Sequence, residues 1–298
     1  GIEASLSFVP VKTKNFTWDA SVNFAKNDNE VVKLHDEVKD FELASARWAN
    51  ASIYASEGQP YGVIVGKKLK RTEKGDVIFE NGLPTFDDKV SVLGNGNYDF
   101  TLGFRNAFNY KNLSMSVLFD MKFGADIYSM SAMQSHVNGT SKETLEGRQE
   151  WYSSEQKRQS AGVPAGNWIA TGGYVGKGVM AIKNDDGEMI YVPNNVCVDP
   201  AKYWQALQTT SPEPFIYDNS FVKLREISLS YNCPKKWFVH TPIESITLSA
   251  YGRNLLLIYS NVDNIDPESS YNNGNGQGFE YGSLPSRRTF GFGINVKF

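Results

Sequence analysis

The sequence predicts an all-β fold, about nine antiparallel strands forming part of the wall of a transmembrane β-barrel, with long extracellular loops that carry short helices. Three observations carry that expectation. Apolar and polar residues alternate strictly through most strand-like segments, and short and long connections alternate between those segments. Aromatic residues reach 13% in a chain whose mean hydropathy is only −0.39. Strict alternation is the period of a strand with one apolar and one polar face. By itself it leaves two architectures open. In a soluble sandwich the apolar face meets a second sheet, whereas in an outer-membrane barrel it meets lipid and the polar face lines a wet interior.

The first segment sets Ile2, Ala4, Leu6 and Phe8 against Glu3, Ser5 and Ser7. After VKTKN, Phe16, Trp18, Ala20, Val22 and Phe24 oppose Thr17, Asp19, Ser21 and Asn23, which completes a hairpin. Two weaker strands follow in SIYASEGQPYGVIVGKKLK, around a turn at Gly58 and Pro60. The strongest pair comes next. Tyr98, Phe100, Leu102, Phe104, Phe108 and Tyr110 share one parity, and beyond a tight Lys111-Asn112 turn so do Leu113, Met115, Val117, Phe119, Met121 and Phe123. From about 125 to 219 the alternation stops, apart from a small hairpin at Asp185, Asp186 and Gly187. Two short helices are expected there, one from Thr140 with Glu143 completing a capping box, the other from Asp199 with Pro200 in its first turn. Strands resume in FVKLREISLSYN, in ITLSAYGRN and in the closing TFGFGINVKF, where Phe290, Phe292, Ile294, Val296 and Phe298 share a face.

The connections decide between the two architectures. Short turns fall near Lys12, Gly58, Lys111 and Pro234, and long loops follow Asn27, Thr72, Gly124 and Tyr259. Tight turns on the periplasmic side and long loops outside are the barrel pattern, and a sandwich has no reason for it. With Phe298 on the periplasmic side, every short turn lies there too. Cys197 then falls in an outer loop and Cys233 at the opposite rim, too far apart for a bridge that needs Cα atoms within about 7 Å. Two free thiols are expected.

Composition excludes other classes. A net charge of −3 and a pI near 5.7 do not suit a nucleic-acid protein, which needs a basic face. The run GKKLKR therefore reads as a solvated strand end. No stretch supplies the roughly 18 apolar residues of a spanning helix. GIEASLSFV has no signal-peptide pattern and begins inside a strand, so a mature fragment of something longer is expected, or a complete protein from which a signal has been trimmed. Two isolated cysteines have no zinc spacing, and His35, His136 and His240 fall in three different connections. Without a His-Glu-x-x-His or Gly-x-Ser-x-Gly motif, no catalytic set, metal or cofactor is expected. GNGNYDF and GNGQGF read as flexible outer turns. DNIDPES, with Asp263, Asp266 and Glu268, lacks the spacing of a calcium loop and reads as a solvated loop.

Several runs together resemble one family. FVKLREISLSYNCPKKWF, ITLSAYGRNLLLIYSNVDNIDPES and FEYGSLPSRRTFGFGINVKF resemble the C-terminal barrel of SusC-like (SusC/RagA) TonB-dependent transporters of Bacteroidetes outer membranes. EGQPYGVIVG, GNGNYDFTLGFRNAFNYKNLSMSVLFD and the opening hairpin extend the resemblance upstream, and the loop from about 131 to 214 carries least of it. The resemblance implies nutrient import, commonly of glycans and sometimes of peptides, through a plugged barrel of about 22 strands. It implies as partners a SusD-like surface lipoprotein, the TonB-ExbB-ExbD complex acting through a plug and amino-terminal region before residue 1, the barrel-assembly machinery and outer-membrane lipid. On that reading residues 1–298 are the C-terminal part of the barrel, in the cell outer membrane.

Candidate residues follow from these placements. Sugar rings stack on aromatic faces, so Trp168, Tyr174, Tyr203 and Trp204 in the outer loops are substrate-binding candidates. For Tyr203 and Trp204, anchoring their own short helix is the favoured alternative. Trp18 and Trp237 fit an aromatic belt at the periplasmic ends of strands. Phe298, with Val296 and Ile294, resembles the terminal signal read by the assembly machinery, and a girdle position suits it equally. The rival class is a soluble all-β carbohydrate-binding or adhesin module, which accounts for the aromatics but not for the loop parity or the terminal aromatic.

Overall fold

A computed structural model describes residues 1–47 and 50–298. Its main sheet is an antiparallel meander of seven strands, each beside its sequence neighbour. They are β1 (Ile2–Lys12), β2 (Phe16–Lys26), β3 (Phe100–Tyr110), β4 (Leu113–Phe123), β5 (Phe221–Asn232), β6 (Ser245–Ser260) and β7 (Thr289–Lys297). The register aligns the alternation across the whole sheet. Leu6 lies opposite Val22, Val22 opposite Phe104, Phe104 opposite Phe119, Phe119 opposite Leu224 and Leu224 opposite Leu256. The other parity runs Ser5, Asn23, Gly103, Asp120 and Lys223. A slip of one residue in any pair would turn that strand's apolar side to the polar face, so the pattern itself selects the register.

Nothing among the described residues covers the apolar face. Phe292 is 87% exposed, Ile294 73% and Phe298 75%, values that a sandwich interior would bring close to zero. No described helix is long and apolar enough to cross a membrane, which leaves spanning by strands untouched. One polar group interrupts this face. Asn106 sits between Ala20 and Val117 and is 7% exposed, and its side-chain carbonyl accepts the Trp18 indole N–H at 3.1 Å. Pro10 falls in a bulge of β1, at the edge of this sheet, where its missing N–H costs no ladder bond.

Seven strands replace the nine expected. The weaker pair, Ala51–Ser56 and Val63–Leu69, belongs to a separate four-stranded sheet with Asp40–Ser45 and Phe86–Asn95. Both faces of that pair are covered, with Ile53, Val63 and Ile64 each at most 1% exposed, so its continuous apolar runs are those of a buried sheet. Removing one hairpin from the meander leaves the parity intact. The short connections 13–15, 111–112 and 233–244 lie at one end with Phe298, and the long ones 27–99, 124–220 and 261–288 lie at the other. Cys197 and Cys233 are free.

The long connections build a cap with its own core. Ile53 and Ile64 from the first, Tyr128, Met130, Met133, Trp204, Leu207 and Phe215 from the second, and Phe279 from the third pack as one buried cluster. The two glycine-rich segments are not loose turns. A Cβ at Gly96 would lie 3.1 Å from the Gly278 Cα, and Gly278 itself has a φ of +95, so the backbones approach closely at positions that favour glycine. The helix expected at Asp199 is α3 (Pro200–Thr210) once two earlier ones are counted, α1 (Met130–Val137) and α2 (Arg148–Ser160). Asp199 caps α3 by accepting the Ala201 N–H at 2.9 Å. The Thr140 helix is corrected to a single 3-10 turn, Lys142–Leu145, and Thr140 donates instead to the Ser135 carbonyl. The hairpin around Gly187 pairs Val179–Lys183 with Met189–Pro193.

Candidate functional site

Two constellations stand at the long-loop end. The first ties the third connection to the polar face of the wall. Lys223 points from β5 to that face and is 4% exposed. Its Nζ donates to Asp266 Oδ1 at 2.6 Å, to Glu268 Oε2 at 2.8 Å and to Ser286 Oγ at 3.2 Å. Arg225 sits where a register shift disrupts the β5–β6 ladder, and donates to Glu268 Oε1 at 2.7 Å, to Asn254 Oδ1 at 2.8 Å and to Asp120. Burial opposes ionisation of Asp266 and Glu268. The hydrogen bonds from Lys223, Arg225 and Ser286 outweigh it and hold both carboxyls at about 2. DNIDPES is thus no solvated loop. Asp263 is exposed, but Asp266 and Glu268 are built into a clamp, their oxygens already engaged by protein cations.

The second constellation is aromatic and belongs to the second connection. Tyr174 and Tyr203 have ring centroids 4.4 Å apart, Tyr203 and Trp204 5.1 Å, and His136 lies 4.5 Å from Trp204. Burial raises both tyrosine hydroxyls above their ordinary range, and a hydrogen bond links them. Three of the four proposed sugar-binding residues are therefore brought together, but they pack chiefly against one another, tilted or edge to face. Trp168 stands apart from them, its indole N–H donating to Ser154 Oγ at 3.1 Å on α2. Sequence reading passed over Trp151 and Tyr152, because α2 buries only Ser154 and shows no apolar periodicity to mark it. Both line a cavity of about 510 Å³ with Trp204, and Trp151 also lines a neighbouring one of about 660 Å³ with Trp168. At the other end Ile294, Val296 and Phe298 lie on the apolar parity, with Trp237 63% exposed beside Tyr231.

With this geometry the chain can be set beside known proteins. It is 26% identical over its full length to TonB-dependent receptor P3 of Formosa agariphila, and 26% to TonB-dependent receptor P26 of the same organism. The chain is similar to TonB-dependent receptors throughout. It spans 28% and 29% of the length of these curated relatives. No family model matches it. Among solved structures, the RagAB peptide transporter superposes with a TM-score of 0.61 at 17% identity, over 99% of this chain and 28% of that one. The RagAB peptide importer in its closed-closed state gives 0.60 at 15%, over 99% and 29%. The mostly β architecture, with few helices and no apolar helical span among the described residues, matches a RagA-like barrel. The likeness to SusC/RagA-type receptors drawn from the sequence thus holds. The proteins it resembles are named as receptors and transporters, not enzymes.

Proposed function

We propose that this chain forms part of the wall and outer loops of a SusC-like, TonB-dependent transporter that imports a nutrient oligomer across the outer membrane. The observation that carries this reading is the two-faced sheet. One face is apolar in register across all strands and uncovered, the other is polar and charged, and every long connection lies at one end. Lipid outside, water inside and loops at the cell surface account for all three features. β1 and β7 are the edges of the sheet, and unpaired backbone groups are not tolerated in lipid, so further strands of the same protein lie against them.

On this reading residues 1–298 belong to the C-terminal part of the barrel. A SusD-like lipoprotein covers the long-loop end, the TonB-ExbB-ExbD complex supplies energy through a region outside these residues, and the assembly machinery reads Phe298, Val296 and Ile294. A glycan is the cargo class favoured by the family resemblance. Peptide is the second class, supported by the structural likeness to a peptide transporter.

Topology is the direct test. In a background lacking Cys197 and Cys233, cysteines replace Ile169 in the second long connection and Val239 in the last short one, positions that are 89% and 62% exposed. A bulky membrane-impermeant maleimide added to intact cells labels Ile169→Cys and spares Val239→Cys until the outer membrane is opened. Equal labelling of both, or recovery of the protein without detergent, overturns the proposal.

A further inference from the structure

We infer that the short-connection end of the sheet is a basic rim that selects anionic phospholipids over neutral ones in the leaflet it meets. The inference rests on the proposed reading of the chain as a barrel wall, and adds to it a lipid preference at one membrane surface. Lys12, Lys14, Lys111, Lys235, Lys236 and Lys297 all stand at this end, and all are exposed. Against them, residues 12–16, 110–113, 231–246 and 296–298 set one acidic side chain, Glu244. The next carboxylate along β2, Asp19, lies on the polar face and accepts the Asn109 amide at 3.3 Å. The chain as a whole has a net charge of −3, so positive charge is gathered at this end and the remainder of the molecule is acidic. Solubility of the turns alone does not require that segregation, since either sign would supply it.

The tertiary structure makes one rim of lysines that are scattered through the sequence. The Lys111 N–H donates to the Asn15 carbonyl at 2.9 Å, the Asn232 N–H to the Asn112 carbonyl at 2.8 Å, and the Glu244 N–H to the Lys297 carbonyl at 2.7 Å. The three short connections and the end of β7 are thereby joined edge to edge. Neighbouring strands lie about 4.8 Å apart, so consecutive connections are separated by about 10 Å. That is close to the screening length of about 8 Å at physiological salt, so their fields overlap at the surface. Lys297 is paired with Glu244 at 3.0 Å, and Lys111 Nζ lies 5.4 Å from the Tyr110 ring centroid. Lys12, Lys14, Lys235 and Lys236 meet no carboxylate among the described residues, which leaves their charge for a partner outside the chain.

Depth and chemistry point to lipid phosphates. Trp237, 63% exposed, directly follows Lys236, and Tyr110, 53% exposed, directly precedes Lys111. Exposed amphipathic rings of this kind settle at the boundary of the hydrocarbon. A lysine beside them runs its stem along that boundary and places its ammonium among the headgroups. Neutral phospholipids carry an ammonium of their own beside the phosphate, so a net attraction remains only for anionic ones. The rim is also built of lysine without arginine. An ammonium attracts as a point charge from many directions, whereas the planar fork of a guanidinium suits one fixed carboxylate or phosphate. A lysine rim therefore fits a fluid sheet of phosphates better than one docked protein.

The experiment uses the protein extracted from its native membrane and placed in nanodiscs of phosphatidylcholine with phosphatidylglycerol of matched chains as the minor component. Lipids that stay on the protein after dilution into detergent are counted by native mass spectrometry. Retained phosphatidylglycerol is expected to exceed its share of the disc by roughly fivefold at low salt, and to fall towards that share at high salt. Lys14→Gln, Lys235→Gln and Lys236→Gln together should bring it to within about twofold of the disc, whereas arginine at the same three positions should keep the preference. Lys74→Gln, Lys142→Gln and Lys177→Gln remove equal charge from the long connections and should leave it unchanged. All six positions are exposed, so the packing is spared in both sets. No preference in the unaltered protein, a preference that survives loss of the rim lysines, or equal loss in the two sets overturns the inference. The maleimide labelling at Ile169→Cys and Val239→Cys is read on cells carrying the same variants. Labelling as expected without lipid preference refutes the rim alone, and equal or reversed labelling refutes the barrel-wall orientation.

Discussion

Replacing Lys223 with methionine is the sharpest test of how the third long connection is held. Methionine keeps most of the stem and removes the charge, so the change isolates the clamp from packing. Three hydrogen bonds, to Asp266, Glu268 and Ser286, disappear from a site that is nearly sealed from water. Removing one partner of a buried ion pair costs about 3–5 kcal/mol, because the remaining charge is left uncompensated. The lower figure applies here. Glu268 keeps two bonds from Arg225 at 2.7 and 2.9 Å, and Asp266 keeps the Ser286 and Glu268 backbone N–H groups at 2.7 and 3.0 Å. A loss of about 3 kcal/mol corresponds to a rise of roughly two orders of magnitude in the opening constant of the segment. Hydrogen exchange by mass spectrometry, on protein extracted from its membrane, reads that constant for peptides covering 261–268 and 283–288. Peptides from β3 and β4 serve as the internal control. Exchange that accelerates less than about fivefold would refute the argument, and would mean that Ser286 and Arg225 hold the carboxylates unaided.

Three further outcomes follow from the same structure. Because Asp266 and Glu268 titrate at about 2 in the folded protein, below their ordinary 3.8 and 4.5, the clamp's contribution is complete above those ordinary values. It falls away as the pH drops towards 2, so the protection of 261–268, with the intrinsic pH dependence of amide exchange divided out, should fall over that acid range and stay flat between pH 6 and 8. Trp18→Phe strands the Asn106 carbonyl on the apolar face and should cost about 1–3 kcal/mol in unfolding from micelles, whereas Trp18→Phe with Asn106→Leu should recover most of it. Lys111 holds a φ of +53 in the two-residue turn between β3 and β4, so Lys111→Gly should raise stability by about 1 kcal/mol in the same assay.

The sequence by itself determined the meander. Alternation specifies which side of each strand is apolar, and the lengths of the connections specify which end carries the loops, so both features follow from local chemistry and chain direction. The Asp199 cap and the Gly187 hairpin were legible for the same reason, since each depends on neighbours in sequence. What the sequence could not show was which strands share a sheet. Ile53 and Ile64 read as weak barrel strands because a strand buried on both faces loses the alternation that distinguishes a wall. Nor could spacing reveal that Lys223 would meet Asp266 and Glu268 across more than forty residues of chain that include a whole strand, or that Trp151 would join Trp168 to Trp204. Those meetings are decided where three long connections pack around one core, because contacts between distant residues depend on how loops fold together and leave no period in the chain.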